Sequence, residues 1–302
     1  MPTRAGSTAS PSLKSLVRLA RPKQWSKNVL VFTAPAVAGV LSHGHDALLA
    51  IGTFAIFSVA ASGTYLLNDV VDAPNDRVHP VKKYRPVASG EVPAALAVAL
   101  ALVALVAAVA GSVWMSGAKL AVVIAIYAAI TTSYSLWLGR EPVVELACVS
   151  SGFVLRAIAG GVSTGVPLSV WFLVVASFGS LLIVAGKRSA ERETLGADRA
   201  AHRPVLAAYP AQFLRTVRLL SAGVAVTAYC LWAFERSAHV GHGRHPIFFE
   251  LSIIPFVLAL LVLELRFETG HGGAPEDLAF SDRTLQLLGI AWVAVFAAGV
   301  YV

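Results

Sequence analysis

Charge is scarce in this chain. Asp, Glu, Lys and Arg supply 14% of its 302 residues, against about 25% in an ordinary soluble domain. That deficit argues against a soluble globular enzyme, and the 57% hydrophobic content excludes intrinsic disorder. Cysteine is nearly absent. Cys148 and Cys230 both lie in apolar runs, too few for a disulfide framework or a four-ligand metal site, and they read as small packing residues. No segment alternates apolar and polar residues with a period of two, so a transmembrane barrel is excluded. A cleavable leader is not expected either. Ala34-Pro35-Ala36-Val37-Ala38 has the small residues of a cleavage region, but no soluble domain follows it, so the first apolar run is expected to stay as a span.

Long apolar runs take the place of these features. Segments 28–45, 47–68, 92–118, 120–139, 157–186 and 284–302 contain no charged residue, and each has the length of a membrane-crossing helix. Segments 142–163, 213–235 and 247–264 are apolar with a few charges at an end or inside. The expectation is an all-α integral membrane protein with nine transmembrane helices, since helices satisfy their own backbone polar groups in lipid. Residues 1–12, rich in Ser, Pro, Thr and Ala, are expected to form a disordered tail, and 13–302 a single polytopic domain. Residues 13–25 suit an interfacial helix, with Leu13, Leu16, Val17 and Ala20 on one face and Lys14, Arg18 and Arg21 on the other.

Lys and Arg are distributed asymmetrically. With the N-terminus in the cytoplasm, 20 of the 24 fall on inside segments, Lys119, Arg236 and Arg244 fall outside, and Arg156 lies within a span. The positive-inside rule therefore predicts a cytoplasmic N-terminus and an outside C-terminus. The net charge of +7 lies along a membrane face, which speaks against nucleic acid as a partner and for anionic lipid or an anionic substrate.

Polar residues gather in two inside loops, 65–91 and 186–212. In the first, Asp69, Asp72 and Asp76 are spaced i, i+3, i+7, the spacing of one helical face. Pro74 disfavours helix at Ala73, so Asn68, Asp69 and Asp72 are expected on the last helical turn and Asp76 on the loop beyond. Clustered oxygen donors of this kind suit Mg²⁺, which shares its coordination sphere with phosphate oxygens. Lys82, Lys83 and Arg85 follow, and acid followed by base fits a metal-bridged diphosphate. The bland reading is a solvated loop whose charges neutralise one another. In the second loop, Lys187 and Glu191 are i,i+4 neighbours, as are Arg188 and Arg192; here the bland reading is a helix end obeying the positive-inside rule. Between the loops, Glu145 and Arg156 occupy one face of one span. Ionisable groups in a span are costly and line polar sites. Their axial separation of about 16 Å is too great for a direct pair, so each needs another partner.

Asn68-Asp69-x-x-Asp72-x-x-x-Asp76 and Arg85-Pro86-x-x-Ser89-Gly90 resemble the first signature of the UbiA-type intramembrane prenyltransferase superfamily. The likeness extends over nearly the whole chain and is strongest to the decaprenyl-phosphate phosphoribosyltransferase branch. It is carried by Arg21-Pro22-x-Gln24-Trp25-x-Lys27-Asn28, Val144-Glu145, Leu155-Arg156-Ala157-Ile158-Ala159-Gly160-Gly161, Gly186-Lys187-Arg188-x-Ala190-Glu191, Leu231-Trp232-Ala233-Phe234-Glu235-Arg236 and Pro275-Glu276-Asp277. The resemblance implies a UbiA-like helical bundle in the cell membrane, multi-pass, with its site facing the cytoplasm. It implies 5-phosphoribosyl 1-diphosphate (PRPP) as donor, a polyprenyl phosphate as acceptor and a lipid product for cell-wall arabinan. A homo-oligomer, with a trimer as one arrangement, is a further implication.

Ordinary members carry a second aspartate-rich motif where this chain has Lys187, Arg188 and Glu191, and that departure favours a substrate with extra phosphate groups. By this likeness Asn68, Asp69, Asp72 and Asp76 hold Mg²⁺, with the three aspartates catalytic. Lys27, Lys82, Lys83, Arg85, Arg140, Arg156, Lys187 and Arg188 meet phosphate, and Glu145 and Glu191 belong to the substrate site. Tyr65 and Tyr134 reach ribose or phosphate, or serve as interfacial anchors. The competing expectations are a prenyltransferase acting on an aromatic acceptor, a transporter and a CDP-alcohol phosphotransferase. A metal site at His43, His45, His239, His242 and His245 is a minor alternative.

Overall fold

The computed structural model describes residues 12–195, 204–238, 246–269, 278 and 281–301. The expected tail before Ser12, the loop histidines His239, His242 and His245, and Pro275-Glu276-Asp277 lie outside the described residues, as do residues 196–203 of the 186–212 loop. All regular structure among the described residues is helical. The elements are α1 (Leu13–Ala20), a 3₁₀ stretch (Pro22–Phe32), α2 (Thr33–Val37), α3 (Gly44–Val78), α4 (Ala94–Ser116), α5 (Ala118–Leu136), α6 (Val144–Ser163), α7 (Val170–Leu195), α8 (Pro204–Ala207), α9 (Ala211–Ala238), α10 (Ile247–Leu251), α11 (Ile253–Glu268) and α12 (Arg283–Tyr301).

Eight stretches are long and apolar enough to cross a membrane: α3, α4, α5, α6, α7, α9, α10 with α11, and α12. They overlap eight of the nine expected spans, with the expected 157–186 divided so that 157–163 complete α6 and α7 begins at Val170. The remaining one, 28–45, is not a continuous α-helix. It runs as the 3₁₀ stretch and α2, then breaks at Gly39, whose φ is +75°. Close packing on α6 accounts for this. A Cβ placed on Gly160 would lie 1.7 Å from the Val31 carbonyl oxygen, so the two backbones touch, and a narrow 3₁₀ winding is the shape that fits.

Burial sorts the helices by role. Half of the apolar window of α3 and of α6 is buried, against 17% for α4, α10 with α11, and α12. α3, which carries Tyr65, Asn68, Asp69, Asp72 and Asp76, and α6, which carries Glu145 and Arg156, are therefore the central helices. Small residues let neighbours approach them: Ala97, Ala101 and Ala108 of α4 are buried against α3, as expected where packing rather than water drives helix association.

One local expectation is corrected. α3 does not stop before Pro74 but continues to Val78, which places Asp76 on the helix. Tertiary packing overrides the local preference, because Ala73 is buried in a cluster with Leu66, Val87 and Val92. In α1 the buried residues are Ser15 and Leu19, while Leu13 and Val17 face outward. Leu16, between them, packs on the bundle, and the outward apolar side chains are those an interfacial helix turns to lipid.

Candidate functional site

The end of α3 is held by arginines from both sides. Asp69 and Asp76 are buried, two helical turns apart on one face. Arg85 Nη1 donates to Asp76 Oδ2 at 2.7 Å and lies 3.4 Å from Asp69 Oδ1. Arg21 donates to the same Asp69 oxygen. Arg85 reaches back because burial of Val87 and Val92 folds its loop against α3, and a turn closes with Val92 N donating to Pro86 O at 2.9 Å. Arg21 arrives from the junction between α1 and the 3₁₀ stretch in a left-handed conformation, φ 52° and ψ 58°. A residue before proline is biased toward extended backbone, so this geometry is imposed by the surroundings. Arg18, at the end of α1, pairs with Glu91 at 3.2 Å and donates to the Tyr84 carbonyl, tying α1 to the same loop. Tyr65 lies beneath Arg21, 5.3 Å from ring centroid to guanidinium.

The other face of the helix end is different. Asn68 Nδ2 donates to Asp72 Oδ2 at 2.8 Å, and Ser135 of α5 donates to Asn68 Oδ1 at 2.9 Å. Among the described residues no cation is paired with Asp72. Among the described residues no three His, Cys, Asp or Glu side chains converge as a preformed metal cage. A hard cation that keeps its waters needs only one or two protein carboxylates besides substrate phosphate. The oxygen-only donors Asn68 and Asp72, with Asp69 and Asp76 on the adjoining face, fit such an ion.

A second polar group is built on α6 and α7. Glu145 is wholly buried and receives Arg188 side-on, Nε to Oε1 at 2.8 Å and Nη2 to Oε2 at 2.8 Å. Arg188 Nη1 donates to Glu191 at 2.8 Å. Glu145 stands in the first turn of α6, and Val143, just before that helix, has φ +68°, an outlier for a β-branched residue. Tyr209 stabilises that turn by accepting the Val143 N–H at 2.7 Å. Its phenol is pushed up to about 12, mainly by burial, with the Glu145 carboxylate adding to the effect. Burial of Val205, Leu206, Tyr209 and Leu214 with Leu146 and Val184 holds the tyrosine there.

Arg156 lies deeper on α6. Nε donates to Asn28 Oδ1 at 2.7 Å, Nη1 to the Gly152 carbonyl at 2.6 Å and Nη2 to the Tyr127 hydroxyl at 3.2 Å. Its guanidinium lies about equally near two aromatic faces, 4.9 Å from the Phe57 centroid and 5.0 Å from that of Tyr127. No carboxylate pairs with it among the described residues, so it is a buried cation with neutral partners. Asn28 is oriented in turn by donating to Ser58 at 2.9 Å. On the far side Phe153, 5.9 Å from the guanidinium, borders an apolar slot of about 390 Å³ between the first segment, α6, α7, α9, α11 and α12.

The expected separation of Glu145 and Arg156 therefore has its structural counterpart: each finds its own partners. The structure brings Asp69, Asp76 and Arg85 together, pairs Asn68 with Asp72, and joins Glu145, Arg188 and Glu191. Lys82 and Lys83 lie on a 3₁₀ turn beside this group, Lys83 Nζ stacking 5.2 Å from the Tyr84 centroid. Arg140 is exposed on another such turn. Lys27, Tyr134 and Lys187 are partly buried and engaged. Sequence reasoning passed over Arg21, Asn28, Tyr127, Ser135 and Tyr209. Arg21 and Asn28 belong to the quoted Arg21–Asn28 motif, which was the available signal; the other three carry none.

Residues 29–281 match the model of the UbiA prenyltransferase family. The chain is 45% identical over 289 residues to the decaprenyl-phosphate phosphoribosyltransferase of Mycobacterium tuberculosis, covering 94% of both chains. It is 39% identical to the Mycolicibacterium smegmatis protein of the same name, covering 100% of this chain and 98% of that one. Among solved structures it is similar to a UbiA homolog from Archaeoglobus fulgidus bound to DMAPP and Mg²⁺, with a TM-score of 0.68, 17% identity, and coverage of 94% of this chain and 97% of that one.

Proposed function

This chain belongs to the UbiA prenyltransferase family, and within it we propose that it transfers the 5-phosphoribosyl group of PRPP to decaprenyl phosphate, releasing pyrophosphate. The named relatives at 39–45% identity support the reading. One observation in the structure carries it: in the last turns of α7, where ordinary members place more aspartates, this chain sets Lys187 beside an Arg188 locked between Glu145 and Glu191. Such a group suits added phosphate rather than a second metal ion.

Asn68, Asp69, Asp72 and Asp76 would hold Mg²⁺, which when bound neutralises negative charge developing on the departing pyrophosphate. Arg21 and Arg85 keep Asp69 and Asp76 fixed, and Lys82, Lys83 and Arg85 meet the diphosphate. Lys187 meets the remaining phosphate of PRPP. Arg188, whose donors all go to carboxylates, positions α7 and keeps its charge beneath that phosphate. Tyr65 and Tyr134 border the ribose, and Arg140 adds positive potential at the entrance. Lys27 and Arg156 receive the acceptor phosphate.

The acceptor phosphate is already an anion, so it needs no general base. Its oxygen forms a bond to ribose C1 as the C1–pyrophosphate bond breaks in line. The configuration inverts from α to β through an oxocarbenium-like state.

We also place the N-terminus and the site on the cytoplasmic side of the cell membrane, with nine crossings. The 20-to-3 distribution of Lys and Arg supports the orientation. The uncharged run 28–45 has the length of a crossing and supplies the ninth.

The deciding experiment gives purified protein either ribose-labelled PRPP with decaprenyl phosphate, or labelled decaprenyl diphosphate with an aromatic acceptor. Label from PRPP in the lipid fraction is expected. Prenyl transfer to the aromatic acceptor, with none from PRPP, would refute the assignment. Lys187→Ala should lower turnover or raise the PRPP requirement about tenfold to a hundredfold, and unchanged kinetics would leave Lys187 a purely topological cation.

A further inference from the structure

The motif Leu231-Trp232-Ala233-Phe234-Glu235-Arg236 takes no part in the site described above. It closes α9 at the end of the bundle away from Asp69 and Glu145, beside the start of α7 and the break after α2. Trp232 and Ala233 are buried, which anchors the last turn and directs Arg236 inward over Phe249, 5.9 Å from its centroid. The Arg236 Nε is buried without a hydrogen-bond partner among the described residues. An unmatched donor on a charged group is unfavourable, and each such case in a native structure calls for an explanation.

Arg236 lines a cavity of about 300 Å³ together with Ser169, Phe172 and Trp232. Val37, Phe172 and Trp232 line the aromatic slot of about 390 Å³ as well. The two spaces therefore adjoin, one with a guanidinium and a hydroxyl, the other almost wholly apolar. The carboxylate of Glu250 accepts from Ser237 at 2.7 Å.

We propose that Arg236 and Ser169 hold the phosphate of a single-chain lipid whose hydrocarbon enters the slot, a second lipid-phosphate site at the end of the bundle opposite the Asp69–Asp76 helix end. A guanidinium and a hydroxyl are the donors that phosphate oxygens take, and an apolar wall behind them selects an amphiphile over a free anion. This inference does not rest on phosphoribosyl transfer.

The test counts bound lipid by native mass spectrometry on delipidated, full-length protein in detergent. Decaprenyl phosphate is the probe, compared with decaprenol, a two-chain phosphatidylglycerol and inorganic phosphate. Wild type is expected to carry two decaprenyl phosphates, and Arg236→Gln one, with its affinity at the second site lowered about tenfold or more. Arg236→Lys should restore part of the binding, and turnover at saturating substrate should be unchanged in both variants. If the assignment of the catalytic site is wrong, wild type carries one lipid and Arg236→Gln none, which still supports this site. The proposal is overturned if Arg236→Gln binds like wild type, or if decaprenol, phosphatidylglycerol or inorganic phosphate occupies the site equally well. Should Arg236→Gln fail to purify as a single species, Ser169→Phe fills the cavity while keeping the cation. It should lose the same lipid, and undiminished binding there overturns the proposal too.

Discussion

Glu145→Leu would leave the Arg188 guanidinium in place with most of its partner removed. The Arg188 side chain is 4% exposed and that of Glu145 0%, and two of the three donating nitrogens of Arg188 go to Glu145. Glu191, 28% exposed, would remain as its one carboxylate. Breaking a buried pair on one side destabilises by about 3–5 kcal/mol, whereas replacing both partners by apolar groups of similar volume is neutral or stabilising by about 1–4 kcal/mol. Glu145→Leu and Arg188→Met should therefore each be strongly destabilising, and the double variant should return close to wild-type stability. That is a coupling of roughly 6 kcal/mol or more, the sum of the two single losses, outside the few tenths expected of independent sites.

Equilibrium unfolding in mixed micelles at increasing SDS fraction, followed by tryptophan fluorescence, measures all four corners of the cycle. Additive losses would refute the view of Arg188 and Glu145 as one buried unit. Turnover separates stability from function. The double variant should fold yet lose about a hundredfold in rate, because a displacement of about 1 Å in a positioned group costs that much. A stable double variant with full activity would remove Arg188 from the positioning of Lys187.

Three further outcomes are expected. Asp72→Asn should abolish turnover while the protein still inserts and purifies, as should excess EDTA, and full activity in either would end the Mg²⁺ assignment. In a background lacking Cys148 and Cys230, Ser89→Cys should react with an impermeant maleimide only from the cytoplasmic side; labelling from outside would invert the topology. Burial favours the neutral Tyr209 phenol in the folded chain. Its contribution to stability is complete below the ordinary value near 10 and is lost as pH rises toward about 12. Tyr209→Phe should abolish that alkaline dependence and lower stability by about 1–3 kcal/mol by stripping the Val143 N–H of its acceptor; an unchanged alkaline profile would show that another group titrates.

Length and apolarity made eight crossings legible, because a lipid-exposed helix such as α4 needs little beyond an apolar surface. The separate partners of Glu145 and Arg156 were legible from helical rise alone. Two features were not, and in both cases contacts distant in sequence decide. Pro74 reads as a stop, yet Ala73 is held helical by Val87 and Val92 from the following loop. The first segment reads as an ordinary span, but contact with Gly160 of α6 rewinds it. In the site the residue types were legible and their pairing was not. Asp69 and Asp76 read as metal ligands, while their arginine partners come from 48 and nine positions away. Arg21 in particular reads as the polar side of a surface helix until its left-handed backbone turns it inward.

The contact between Gly160 and Val31 has a genetic consequence. Asn28, which orients Arg156, is one turn of the same 3₁₀ stretch from Val31, so that residue and the close approach share one rigid rod. A methyl group at position 160 cannot be absorbed by a side-chain rotation, since the atom it meets is a backbone oxygen; the rod itself must lift and carry Asn28 away with it. A selection for inactive alleles would thus recover Gly160→Ala among the lesions of the catalytic pocket, although position 160 presents nothing to a substrate. Compensating changes would arise at small residues of the first segment, such as Ala34 and Pro35, rather than among the acids and bases of the site.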